Sequence, residues 1–446
     1  VIKIKKGLDI NLKGKASDVL LNGGKSDSYA IVPDYYNGIV PKVVAKVGEK
    51  VKAGSVLMID KNRPEIKFVS PVSGEVTAVN RGEKRKVLSV VVKPEAQIEY
   101  EDFGKKNVAS LKREEVKEAI LHAGMWPFIK QRPYDIVASP ADEPRDIFVS
   151  AFYSAPLAPN FDFVVKGQEV DFQTGLDALA KLTDGKVYVG IRKGSSVSVK
   201  GVETVEVEGP HPAANVGVQI NHIKPINKGE VVWTVNPADV IVIGRLFNKG
   251  IADFSRLVVI TGSETTERGY VKAIAGCTIA SLVDGKIMRG NDDIRIISGN
   301  VLTGTKVEKN DYLGAYDNQI TVIPEGDETH DFFGWATPGF GKFSVSHSFP
   351  AWLMGKNKEY VIDARIKGGK RAMIMSNEYD SVFPMDIMPE YLLKAIIAFD
   401  IDKMENLGIY EVAPEDFALC EFVDTSKLEI QKIVRQGLDV LYKEMN

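Results

Sequence analysis

A chain of 446 residues exceeds what one hydrophobic core holds, so about three domains are expected. Lys and Arg total 57 against 60 Asp and Glu, and a formal charge of -3 argues against a nucleic-acid partner. Cys277 and Cys420 are too few for a disulfide framework and fit a reducing compartment, while no apolar run approaches the ~20 residues that span a bilayer.

Residues 1–5 alternate like a strand and lack the apolar core of a secretory signal, which points to the cytosol. Residues 7–28 are polar and broken by Gly14, Gly23 and Gly24, as in an irregular arm. Two prolines, Pro33 and Pro41, bar residues 31–41 from a central strand. The adjacent Tyr35 and Tyr36 of that loop either pack on the rim of a barrel or stack on a flat hydrophobic ligand.

Residues 46–85 repeat one grammar, with glycine between short β-branched runs in VGEKV and again in VSGEV, as tight turns between strands require. The stretch resembles the barrel-sandwich of lipoyl and biotinyl carrier domains. The carrier lysine is missing: the joining turn reads Asn62-Arg63-Pro64-Glu65, and Lys61 beside it reads as a solvated side chain.

Helical spacing over residues 111–121 ends at Gly124, where a C-terminal glycine stop belongs. The next ten residues hold Trp126, Phe128 and Tyr134 with Lys130 and Arg132. They fit an aromatic or quinone cradle with cation–π help from Arg132, and equally a packed connector between domains. From Asp146 strands and helices alternate. Strands are expected over 146–151, 186–191 and 239–244, the last leading into a helix at Arg245, with a short helix over 175–182; the pattern predicts a parallel sheet with crossover helices. Residues 256–326 carry short strands and glycine turns of a small mixed unit. The last third is mostly helical, with Pro389 at a first helical position and Ser426 with Glu429 as a capping box.

Chemistry is sparse. The βα turns lack a glycine-rich phosphate loop, and residues 334–342 begin like one but misplace Lys342. None of the five histidines pairs with a Cys or acid at metal-ligand spacing. His211, in a rigid Gly-Pro-His-Pro turn, and His222 are candidates to hydrogen-bond a ligand carbonyl or ordinary structural histidines. Iron–sulfur ligation needs about four closely spaced thiolates, which two distant cysteines do not supply.

Residues 7–10, the barrel, LAKLTDGKVYV at 179–189, GPHPA at 209–213, RIISGNVLTGT at 295–305, FGWA at 333–336 and PMD at 384–386 stand in one order. That series closely resembles the A subunit of the bacterial sodium-translocating NADH:quinone reductases, over nearly the whole chain. The resemblance implies an α/β multidomain protein. Its parts would be an N-terminal strand and arm (1–30), a lipoyl-like barrel-sandwich (31–100) and a Rossmann-like parallel-sheet domain similar to the flavin subunit of respiratory complex I (101–255). A ubiquitin-like SLBB unit (256–326) and a mainly helical region (327–446) would follow.

The resemblance further implies a peripheral position on the cytoplasmic face of the bacterial inner membrane. The chain would dock on the integral B subunit and assemble with the C, D, E and F subunits, in a complex that couples NADH oxidation and ubiquinone reduction to sodium export. FMN, riboflavin, FAD and Fe–S centres are expected on those partners and none on this chain, where the ancestral flavin site looks lost. The related Rnf complexes carry two ferredoxin clusters in the corresponding tail; here Cys420 stands alone, with Asp424 where some relatives in the family show a second cysteine. No catalytic, cofactor or metal residue is assigned. Tyr35, Tyr36, Trp126, Phe128 and Tyr134 are the expected ring contacts of a bound ubiquinone, with His211 or Arg132 toward a carbonyl oxygen. The competing expectation is a soluble ligand-binding or scaffolding protein without catalysis, which would never co-purify with flavin-bearing membrane subunits.

Overall fold

Short runs rich in valine and other apolar residues build the first two sheets. In the computed structural model, which describes residues 1–288, 293–327, 339–355 and 357–445 without the Trp352 side chain, Tyr29–Ile31, Val87–Pro94, Gly74–Arg81 and Lys50–Val51 form one sheet in that order. Pro41–Val43, Val56–Asp60 and Lys67–Val69 form the other. Leu57, Val72, Val76, Val90 and Val92 are fully buried between them, and Pro41 opens an edge strand, where its missing N–H costs nothing. At the joining turn Arg63 folds back: its guanidinium donates to Asp60 Oδ2 (2.8 Å), the Val137 carbonyl (3.1 Å) and the Gly38 carbonyl (2.8 Å). The tip that would present a carrier lysine is thus tied to the next sheet, and Lys61 is exposed.

The seven-stranded sheet runs Ile2–Lys3, Glu203–Glu208, Val187–Arg192, Ile147–Ser150, Val232–Val235, Ile129–Arg132, Ile136–Val137. Its first five strands are parallel, and the last two join antiparallel. Two expectations fail here. Residues 239–244 are not a strand but lie inside the helix Pro237–Lys249, because Pro237 pre-sets its first turn and left-handed Gly250 ends it. A short apolar run buried on every side has no period to separate the two states. The helix expected over 175–182 begins earlier, as Glu169–Lys181. Gly175 is no breaker: a Cβ there would sit 2.1 Å from the Val240 carbonyl oxygen, and one on Gly244 would sit 1.7 Å from that of Asp171. The two glycines let these helices touch backbone to backbone.

Six strands make the third layer: Thr305–Val307, Ile294–Ser298, Gln319–Pro324, Ser255–Thr261, Gly269–Ile274 and Leu20–Leu21, with the short helix Ile279–Val283 buried against them. The expected irregular arm is therefore a strap. The expected first strand pairs through Ile2–Lys3 with the seven-stranded sheet, the arm pairs through Leu20–Leu21 with the six-stranded one, and between them Leu12 bridges Tyr360.

Helices Pro389–Ile397, Ala418–Val423 and Ile430–Met445 pack around one core with Leu392, Ile396, Cys420, Val434 and Leu438. Pro389 stands at the helix start as expected. Ser426 does not cap: its hydroxyl donates to the Ala372 carbonyl (3.0 Å), and Glu421 instead accepts from the Gln431 N–H (2.8 Å). Proximity in sequence favours Ser426, but Glu421 arrives from the preceding helix and takes the orphan donor.

Candidate functional site

Three sheets meet at an aromatic seam. Pro33–Tyr35 is a short 3-10 turn that leads out of the barrel strand Tyr29–Ile31, and it sets Tyr36 edge-on to Phe68 (centroids 4.7 Å) and to Tyr316 (5.6 Å). Phe128, at the end of the 3-10 turn Trp126–Phe128, lies 6.0 Å from Phe254 and 6.5 Å from Tyr316. Tyr35, Tyr36 and Phe128 line one cavity of about 50 Å³ with Phe68, Phe254 and Leu313.

Charge lies behind the rings. Arg256 is buried and donates to Asp239 Oδ1 (3.0 Å) and the Ala315 carbonyl (3.2 Å), and its guanidinium sits 5.7 Å over the Phe128 ring. Asp239 occupies the first turn of its helix, where the dipole favours an anion. Burial nevertheless pushes its carboxyl up to about 6, against the pull of Arg256. Lys130 Nζ lies 4.1 Å above the Tyr316 ring, whose hydroxyl donates to the Pro127 carbonyl (2.6 Å). Burial holds the Tyr36 and Tyr316 phenols well above their usual range, and burial with the Asp317 charge raises Tyr35 to about 12. At neutral pH these hydroxyls are protonated and can donate.

The other four candidates lie elsewhere. Trp126 is core: its Nε1 donates to the Ala138 carbonyl (2.8 Å) and its ring meets Trp233 edge-on at 5.3 Å. Arg132, 1 % exposed, donates to Asp416 Oδ2 (2.7 Å), Glu415 Oε1 (3.0 Å) and the Glu411 carbonyl (2.9 Å), so its charge is spent on the helical region. Tyr134 packs edge-on against Tyr442 of the last helix at 5.1 Å. The His211 ring Nδ1 shares a hydrogen bond with Ser154 Oγ (3.0 Å), and the backbone N–H of His211 donates to Asp9 Oδ1 (2.9 Å). Burial pushes its imidazole down to about 4, leaving it neutral. Sequence reasoning missed Phe68, Asp239, Phe254, Arg256 and Tyr316, which come from four separate stretches with no motif between them.

His330 and Phe333–Ala336 lie outside the described residues. Among the described residues no three His, Cys, Asp or Glu side chains gather as metal ligands, and no helix is long and apolar enough to cross a membrane. Cys277 and Cys420 are buried free thiols. Asp424 accepts from the Tyr379 hydroxyl (2.8 Å) and the Ser426 and Leu428 N–H groups (3.1 and 2.7 Å), a structural knot beside Cys420.

Three family profiles match in chain order: the NqrA N-terminal barrel-sandwich hybrid domain over residues 2–95, the NqrA second alpha/beta domain over 111–252, and the NQRA C-terminal domain, of SLBB type, over 257–309. The chain is similar to the A subunit of the Na(+)-translocating NADH-quinone reductase of Neisseria meningitidis serogroup A, with 36% identity over all of both chains. It is also similar to that of Vibrio vulnificus, with 37% identity over all of both chains. Among solved structures, an NAD+-reducing NiFe hydrogenase in its H2-reduced state covers 76% of this chain and 62% of its own, at 11% identity and a TM-score of 0.39, too slight a likeness to bear on the fold. The full-length identities and the three ordered domain matches place the chain in the NqrA family, the A subunits of the Na(+)-translocating NADH-quinone reductases.

Proposed function

We propose that this chain is the peripheral A subunit of an oxidoreductase complex that passes electrons from NADH to ubiquinone and exports sodium, and that its own part is to hold the quinone ring at the aromatic seam. The relatives' name supports the first statement. The second is carried by one observation: Tyr35, Tyr36 and Phe128, from two separate loops of the chain, line a single cavity at the junction of three sheets. On this reading the chain lies on the cytoplasmic face against the integral B subunit, and the flavins and Fe–S centres belong to its partners.

The cavity sets a condition. At about 50 Å³ it is smaller than the ~150 Å³ void that admits benzene, so a quinone ring enters only when the half-buried Tyr35 turn swings outward. Tyr36 would then donate to a carbonyl oxygen, and Phe128, with the Arg256 guanidinium over its ring, would face the quinone. A photoreactive ubiquinone analogue added to the assembled complex should label the peptides bearing Tyr35 and Tyr36 or Phe128, and excess ubiquinone should suppress that label. Label confined to other subunits would leave the seam as interdomain packing alone.

A further inference from the structure

We propose that residues 340–355 and 357–375 form a cationic, apolar face that docks on an anionic bilayer surface. This stands apart from the quinone reading and does not depend on it. The chain carries -3 overall, yet these residues hold six Lys or Arg against Glu359 and Asp363, a local charge of +4 that leaves -7 on the rest. Eight of the 22 exposed large apolar side chains among the described residues fall in the same stretch, led by Leu353 at 67 %, Ile366 at 63 % and Met354 at 59 %. Scattered exposed leucines are ordinary. Their concentration on a net-basic stretch of an acidic protein is not.

The local structure keeps these groups outward. The segment is mostly irregular and is tacked down by backbone contacts at intervals: Tyr360 bridges Leu12, the Ala364 N–H donates to the Pro324 carbonyl (3.0 Å), and the Arg371 N–H to that of Ser426 (2.8 Å). Between those points the chain loops into solvent. Lys358 draws two apolar residues together, its ammonium 3.0 Å from the Met354 sulfur and also on the Phe340 carbonyl. Lys370 and Arg371 are exposed beyond them. Basic groups at the depth of lipid headgroups, with Leu, Met and Phe reaching the acyl boundary, are what an anionic membrane surface binds. A neutral bilayer or a neutral protein face would have no use for the +4.

The full chain sedimented with vesicles of pure phosphatidylcholine should stay in solution, and with vesicles of about one-third phosphatidylglycerol it should partition onto them, less so at high salt. Combining Lys367→Glu, Lys370→Glu and Arg371→Glu should weaken partition on the order of 100-fold, and Leu353→Ser with Met354→Ser about 10-fold. Lys46→Glu, Lys50→Glu and Lys93→Glu together, on the distant barrel, should change nothing; unaltered circular dichroism establishes that each variant is folded. Equal binding to both vesicle types, no binding to either, or recruitment only when the vesicles carry the membrane subunits would overturn the proposal, the last by making the face a protein interface.

Discussion

Replacing Asp239 with alanine is expected to cost about 3–5 kcal/mol, because it strands the buried Arg256 guanidinium. Arg256 is 5% exposed, and without the carboxylate its described hydrogen-bond acceptors reduce to the Ala315 carbonyl. The cost belongs to the orphaned charge rather than to the pair. Asp239→Leu with Arg256→Met should therefore recover most of the loss in urea or thermal unfolding. A pH series adds a sign. The Asp239 carboxyl is raised to about 6 in the folded protein, so its contribution is complete below the ordinary carboxylate value and is lost as pH rises through 6. The stability of wild type relative to Asp239→Asn should fall over that window. A flat difference would show that the carboxyl titrates normally and that the seam is wetter than its geometry implies.

The second large effect lies at Arg132. Arg132→Met leaves the Asp416 carboxylate, fully buried, with the Ala413 N–H (2.9 Å) in place of a guanidinium, again a loss of about 3–5 kcal/mol. Lysine should not rescue it, since one ammonium cannot serve Asp416, Glu415 and the Glu411 carbonyl in the fork geometry they need. The loss should be regional. Arg132 ends a strand of the seven-stranded sheet and Asp416 sits in the turn Pro414–Phe417, so amide exchange should quicken first in the helices around Leu392, Val434 and Leu438. Uniform loss of protection would mean that the two regions unfold as one unit whatever joins them.

These two pairs mark where the sequence stopped being readable. The barrel halves, the helix after Lys112 and the strand at 147–150 were legible because turn glycines and apolar periods are local. Residues 239–244 were not, since a helix buried on all sides looks like a buried strand. Tyr35, Tyr36 and Phe128 could be picked out as aromatic loop residues, but their meeting with Phe68, Phe254 and Tyr316 is a product of three-way packing. Arg132 was singled out for its charge, and only the fold reveals that Asp416, 284 positions away, already holds it. The first strand was legible in the alternation of residues 1–5, but Leu20–Leu21 was not, being too short to read as a strand without the sheet edge that receives it.

Imaging the assembled complex with a quinone-site inhibitor tests most directly whether the seam holds the quinone ring. Inhibitor density is expected between Tyr36 and Phe128, with the Pro33–Tyr35 turn displaced from its closed position. Density lodged wholly within a membrane subunit, with that turn unmoved, would contradict it.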